Sequence, residues 1–231
     1  MPHFRPEYFE HGVYHIYNRG VAKLPTFLDS EDYHSFEDIL RYLVAGFPEK
    51  KDANLPVPVT YKADPKSNGL FKSLLSVLAY CLMPNHFHLL IQQKAETNPV
   101  SFQPIPELVR RLCITYSHKF NKKYNREGAI FQGRFKIKNI PSDPDLLQVV
   151  RYIHLNPVVA GLVQKPEHWL FSDYRVYAIG SMRTFQQVTS TDLVLSYFKG
   201  LPNRYKEFVD AVISEQEAKV IENYIIDRGE E

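Results

Sequence analysis

The run Tyr80-Cys81-Leu82-Met83-Pro84-Asn85-His86-Phe87-His88-Leu89-Leu90-Ile91 constrains this chain more than any other. It reads as two apolar strands joined at Met83-Pro84-Asn85, so it predicts a β-hairpin with a largely buried second strand. Side chains alternate faces along a strand, which sets His86 and His88 on one face and Phe87 on the other, towards a core. Two imidazoles side by side on a strand suit a divalent metal, for which histidine is the commonest ligand. The same spacing also suits two hydrogen-bonded surface histidines, so the pair alone leaves both readings open.

A chain of 231 residues with 44% hydrophobic content can bury a proper core. Its net charge of +2 gives no global argument for nucleic acid. Local charge does: Arg110, Arg111, Lys119, Lys122, Lys123, Arg126, Arg134, Lys136 and Lys138 stand against one acid, Glu127, within their span. The stretch from Glu207 onward is acidic. Such asymmetry predicts a basic binding face on an otherwise balanced protein. Cys81 and Cys113 are too few for a disulfide framework or a four-cysteine zinc site, and a reduced core thiol is the expected role of Cys81. The N-terminus lacks a signal-peptide pattern and no window reaches transmembrane length, so the expectation is a soluble cytoplasmic protein with no membrane partner.

Val13 to Gly20 alternates and closes on Asn18-Arg19-Gly20, a strand entering a turn. Ser30 opens a helix that carries Tyr33, Phe36, Ile39, Leu40, Leu43 and Val44 at helical spacing. Four prolines make Phe47–Gly69 an irregular excursion, with a short strand expected near Val57–Tyr61. Helical spacing returns over Ile105–Phe120, and Ala129–Ile140 reads as extended. Ser142-Asp143-Pro144-Asp145 has the capping serine, acids and early proline of a helix start, and that helix is expected to stop before Pro157. Further helices are expected near Ser190–Phe198 and Arg204–Tyr224. The element order predicts an α+β domain, an antiparallel sheet with helices packed against it.

Two more segments carry possible chemistry. In Arg151-Tyr152-Ile153-His154-Leu155-Asn156-Pro157, Tyr152 and Asn156 are one turn apart on a helical face. A tyrosine beside an amide, on a helix crossing the histidine strand, fits a nucleophile next to a third metal ligand. It equally fits an ordinary amphipathic tyrosine and a helix stop. His154, off that face, is expected on the solvent or DNA side. In Gly128–Lys138, Phe131 and Phe135 interleave with Arg134, Lys136 and Lys138. Cations reach phosphate and aromatic rings stack on unpaired bases, as in a single-strand groove. A half-buried edge strand with a charged outer face accounts for the same residues.

Together these segments resemble the single-tyrosine transposases. His86-Phe87-His88 matches their HUH motif (histidine, hydrophobic, histidine), within a strand very like the family's signature. Tyr152–Pro157 resembles the nucleophile helix of the REP-associated branch, Gly128–Lys138 the segment between, and Tyr14–Gly20 the opening strand. Order and spacing hold over roughly residues 8–175. The resemblance implies a ferredoxin-like antiparallel sheet with helices on one face, in a catalytic domain spanning 1–176, followed by a helical C-terminal extension, 177–231, of unmatched role. It implies cutting and rejoining of single-stranded, hairpin-forming DNA through a 5′-phosphotyrosine, with Mg²⁺ or Mn²⁺. His86, His88 and Asn156 would be the metal ligands, Tyr152 the nucleophile, and the basic and aromatic residues from Arg110 to Lys138 the DNA contacts. Family members commonly dimerise, so a homodimer is a further expectation.

The chemistry agrees. A divalent cation on a phosphodiester neutralises charge as it develops and aligns the group for in-line displacement. Two imidazoles and an amide leave coordination positions open, which suits catalysis better than a closed structural site. Two other functions use the same residues: a nucleic-acid-binding protein without catalysis, and a hydrolytic metallonuclease in which Tyr152 is incidental.

Overall fold

The structure is a computed structural model, described here for residues 7–46, 66, 68–95, 102–180 and 188–225. Nearly all of the 47–69 excursion, with its expected strand at 57–61, lies outside the described residues. The core is a β-α-β-β-α-β unit: β1 (Val13–Arg19), α1 (Ser30–Val44), β2 (Leu75–Met83), β3 (His86–Gln93), α2 (Pro104–Lys123) and β4 (Lys136–Ile140). The four strands lie in the order β2-β3-β1-β4, every pair antiparallel, which is the ferredoxin-like arrangement. The histidine strand is therefore interior.

Alternation gives each face its own core. Tyr14, Ile16, Phe87, Leu89 and Ile91 meet Phe36, Leu40, Leu108, Leu112 and Tyr116 of α1 and α2. The helix begins at Ser30 as its sequence predicts, and Asp29 caps it: its side chain accepts from the Asp32 amide at 3.1 Å, completing a capping box.

The opposite face carries α3 (Asp143–Val159), which packs Leu146, Val149, Val150 and Ile153 against Leu78, Ala79, Cys81, Met83 and Leu90. Each leucine, valine, isoleucine or methionine among them contributes on the order of 2 kcal/mol when fully buried. Ser142 caps the helix as its sequence predicts, Oγ accepting from the Asp145 amide at 3.3 Å. The helix does not stop before Pro157 but runs two residues beyond it. A proline in the last turn forfeits one backbone bond, and the buried ring of Pro157 adds packing where the chain is already ending.

Beyond α3 come α4 (Tyr174–Ile179), α5 (Asp192–Ser196), α6 (Pro202–Asp210) and α7 (Glu215–Glu222). The helix expected over Arg204–Tyr224 is thus two helices. Ser214 starts the second with its own capping box, after the extended backbone of Ala211 ends the first. Tyr174, Tyr177, Val194, Tyr205, Val209 and Tyr224 share one apolar cluster with α3 and the sheet. The C-terminal helices therefore complete the core on the α3 side. Among the described residues no helix is long and apolar enough to cross a membrane.

Candidate active site

Sheet register fixes what faces α3. Cys81, His88, Tyr17 and Lys136 form one cross-strand row, and Leu90, His15 and Lys138 the next. Met83, His86 and Arg19 make a third row at the hairpin end. Three histidines on two adjacent strands thus share one face with two lysines of the edge strand.

The hairpin end is braced from outside. Pro84 and Asn85 form a two-residue turn without the positive φ usual in hairpins. The loop after β1 supports it: Thr26 and Phe27 amides donate to the Pro84 carbonyl at 2.8 and 3.1 Å, and the Gly20 amide to that of Asn85 at 2.8 Å. Gly20 has to be glycine, since a Cβ there would sit 2.1 Å from the Leu24 carbonyl oxygen. Asn85 is pinned in turn, its Nδ2 donating to the Lys23 carbonyl at 3.0 Å. That turns Oδ1 towards Nδ1 of His86, 2.7 Å away. Oδ1 can only accept, so Nδ1 of His86 carries the hydrogen, and Nε2 of the neutral ring holds the lone pair a metal needs.

His88 is fully buried. Its ring lies 5.0 Å from that of His86, at 84°, and 5.1 Å from that of His15, nearly parallel at 8°. Nδ1 of His88 and Nε2 of His15 share a 2.9 Å hydrogen bond, while Nε2 of His88 has no partner. Burial pushes the His15 pKa down to about 3, with the charge of Lys138 adding to the effect. Burial, then His86 and His15, hold His88 well below the ordinary histidine range. Both rings are neutral near pH 7, the state required of a metal ligand. A buried, unpartnered ring nitrogen is costly unless something occupies it. The sequence reading passed over His15 as one letter of an alternating strand. The signal was a polar residue at an inward position two places from Val13.

Tyr152 joins from α3. Its ring stands edge-on to His88, 5.4 Å between centroids at 84°, and 6.3 Å from His15 at 90°. His86, His88 and Tyr152 therefore converge, all from one chain. Asn156 lies one turn on, half-buried, its Nδ2 donating to the Tyr152 carbonyl at 2.9 Å. That leaves Oδ1 as the atom of this amide able to meet a hard cation. Among the described residues no three His, Cys, Asp or Glu gather as a metal cluster.

His154 is not on the solvent or DNA side but fully buried beneath α3. Its Nε2 meets Asp173 Oδ1 at 2.9 Å and its Nδ1 the Tyr205 hydroxyl. Asp173 also accepts from the Tyr80 amide at 2.9 Å and the Thr189 hydroxyl at 2.7 Å. Arg151 is buried too, donating to the Val209 and Ala211 carbonyls and lying 4.9 Å over the Phe208 ring. Helical spacing had placed His154 off the Tyr152 face without revealing that later helices cover it and Arg151.

The basic residues do not form one path. Lys136 and Lys138 lie on the α3 face, Lys138 donating to the Asn223 carbonyl. Lys122, Arg126 and Arg134 are exposed around a groove of about 1100 Å³ between α2 and the loop before β4, on the other face of the sheet. Arg110 and Arg111 reach that side locked to Glu107, at 2.8 and 2.6 Å. Lys123 is held by Asp29, Glu31 and Asp32, and Lys119 donates to Ser35 at 3.2 Å. Phe131 is a core residue, 6% exposed and edge-on to Phe87 at 5.6 Å, so it offers no face for base stacking. The expected strand over Ala129–Ile140 is regular only from Lys136, which lets Phe131 turn inward through a single bridge to Gly20. Phe135 is half-buried on the groove wall.

Residues 71–156 match the family model described as "Transposase IS200 like". A Haemophilus influenzae protein provisionally named a REP-associated tyrosine transposase is 32% identical over 102 residues, 42% of this chain and 57% of that relative. The alignment thus spans a little over half of that relative's length. Among solved structures, a REP-associated tyrosine transposase bound to a REP hairpin superposes with a TM-score of 0.54 at 20% identity, covering 82% of this chain and 94% of the other. At that identity the superposition speaks for the fold. The segment from the histidine strand to the tyrosine helix is thus the part of this chain that is similar to the IS200-like transposases.

Proposed function

We propose that this protein is a metal-dependent transesterase that cuts and rejoins single-stranded DNA through a 5′-phosphotyrosine on Tyr152. The observation that carries the reading is the convergence of one tyrosine with two histidines, at least one turned to present Nε2. Nε2 of His86, Nε2 of His88 and Oδ1 of Asn156 would hold Mg²⁺ or Mn²⁺. The bound cation would supply charge neutralisation on the phosphodiester oxygens.

The chain's own residues supply the rest. The Tyr152 hydroxyl oxygen attacks phosphorus, its proton passing to solvent. The bond from phosphorus to the 3′ oxygen breaks, and that oxygen leaves as a 3′ hydroxyl after taking up a proton. Charge is conserved and the bond energy is kept in the phosphotyrosine, so the reverse attack by a 3′ hydroxyl rejoins the strand without ATP. Lys136 and Lys138 border the same face and suit the phosphates flanking the cut. A hairpin-forming single strand is the proposed substrate, in keeping with the REP hairpin bound by the structural neighbour.

The test is cleavage of an end-labelled hairpin-bearing single strand with and without Mn²⁺. Cleavage should require the metal and vanish in His88→Ala. Metal-independent cutting, or full activity in His88→Ala, would overturn the assignment.

A further inference from the structure

We propose that His15 is a positioning residue that fixes the tautomer of His88 and so turns the Nε2 lone pair of His88 towards a divalent cation. The inference rests on the metal-site reading above.

His15 is fully buried on β1, between Leu90 of β3 and Lys138 of β4, and its hydrogen bond goes to His88. It lies diagonal to His88, within the reach of ring side chains across neighbouring strands. A leucine would pack in such a place without a polar group to satisfy, so a histidine there needs a polar reason.

The single proton between the two neutral rings has two arrangements. If Nε2 of His15 donates, Nδ1 of His88 accepts and Nε2 of His88 bears hydrogen, which closes it to a metal. If Nδ1 of His88 donates, His15 accepts through Nε2, and Nε2 of His88 keeps its lone pair. In the protein alone the arrangements are balanced, since each leaves one buried N–H without an acceptor, on Nε2 of His88 in the first and on Nδ1 of His15 in the second: both nitrogens lack partners. A cation breaks the balance in favour of the second arrangement by occupying Nε2 of His88, while the hydrogen of His15 moves to Nδ1 and the acceptor at Nε2 receives the Nδ1–H of His88. His86 has the corresponding lock built in, through the pinned Oδ1 of Asn85. The two histidines then present the same nitrogen. Partners of this kind commonly matter about 10–100-fold in metal affinity.

The test is Mn²⁺ binding to the full chain, followed by loss of the free-ion electron paramagnetic resonance signal. The proteins are wild type, His15→Gln, His15→Leu and His88→Ala. Glutamine places an amide oxygen near the Nε2 position and can accept from His88; leucine cannot. His15→Gln should bind within about threefold of wild type, and His15→Leu about 10–100-fold more weakly. Binding by His15→Leu equal to wild type, with His88→Ala impaired, would overturn the role of His15 and leave the metal site standing. Equal binding by wild type and His88→Ala would overturn the metal site itself. A second readout guards against misfolding of the leucine variant. Long-range ¹⁵N–¹H spectra of wild type with Mg²⁺ should show His88 as the Nδ1–H tautomer; the Nε2–H tautomer would overturn the proposal.

Discussion

Tyr152 stands edge-on to His88, 5.4 Å between ring centroids and 84° between ring planes. The two residues come from different layers, a helix and an interior strand, so this contact reports how α3 crosses the sheet. What holds α3 in that place lies on its far side. His154 and Arg151 flank Tyr152 in sequence, and both are tied to the segments that follow α3, through Asp173, Tyr205 and the Val209 and Ala211 carbonyls. The C-terminal segments thus bear on the site through α3, and also directly, Lys138 donating to the Asn223 carbonyl and the Tyr224 ring lying 5.9 Å from that of His15.

Asp173→Ala should therefore destabilise the protein by roughly 3 kcal/mol, because His154 Nε2 and the Tyr80 amide would be left buried without an acceptor. Urea unfolding followed by circular dichroism measures this. An unchanged midpoint would show that the network does not anchor α3.

Stability should fall on acidification. His15 is held to about 3 and His88 well below the ordinary value, so between pH 6.5 and 3 the unfolded chain binds protons that the folded chain refuses. The contribution of the pair is complete above pH 6.5 and is lost as pH falls through that window, at roughly 1.4 kcal/mol per pH unit for each histidine. Unfolding free energies at pH 7.5, 6 and 5 check it. His15→Leu should show the shallower dependence, and identical slopes would contradict the burial of a neutral His15.

The hairpin, the face shared by His86 and His88, and the Ser142 cap were legible because period-two alternation and capping chemistry are local. The same locality explains the misses. Phe131 looked like a base-stacking ring because an extended reading of Ala129–Ile140 set it beside Phe135, whereas the chain before Lys136 is irregular and turns it into the α1–α2 core. His154 and His15 bond partners 19 and 73 residues away, and no spacing rule reaches that far. The basic run from Arg110 to Lys138 is continuous in sequence but is divided by the sheet between two faces.

Phe131→Ala is accordingly expected to act on the fold. It should cost about 3–5 kcal/mol of stability by emptying a packed aromatic site. Hairpin binding per folded molecule should stay unchanged, as read by titration at a temperature where the variant is still native. Lost binding with stability intact would restore the stacking role.

Lys136→Gln with Lys138→Gln should weaken single-strand binding and flatten its salt dependence. Two phosphate contacts correspond to a slope of log K against log salt smaller by roughly 1.4. Fluorescence anisotropy between low and moderate salt gives the slope. An unchanged slope would place the DNA elsewhere, with the groove beside Arg126 and Arg134 the next surface to neutralise.

The central claim is that Tyr152 is the nucleophile, and the covalent adduct tests it most directly. Enzyme incubated with Mn²⁺ and a labelled hairpin-bearing single strand is denatured, resolved by electrophoresis, and the linked peptide is identified by mass spectrometry. The account predicts a DNA-linked band, attached through the 5′ phosphate to the peptide containing Tyr152. That band should be absent in Tyr152→Phe, which retains the ring and the fold. An adduct that survives Tyr152→Phe, or cleavage with no adduct at all, would contradict it.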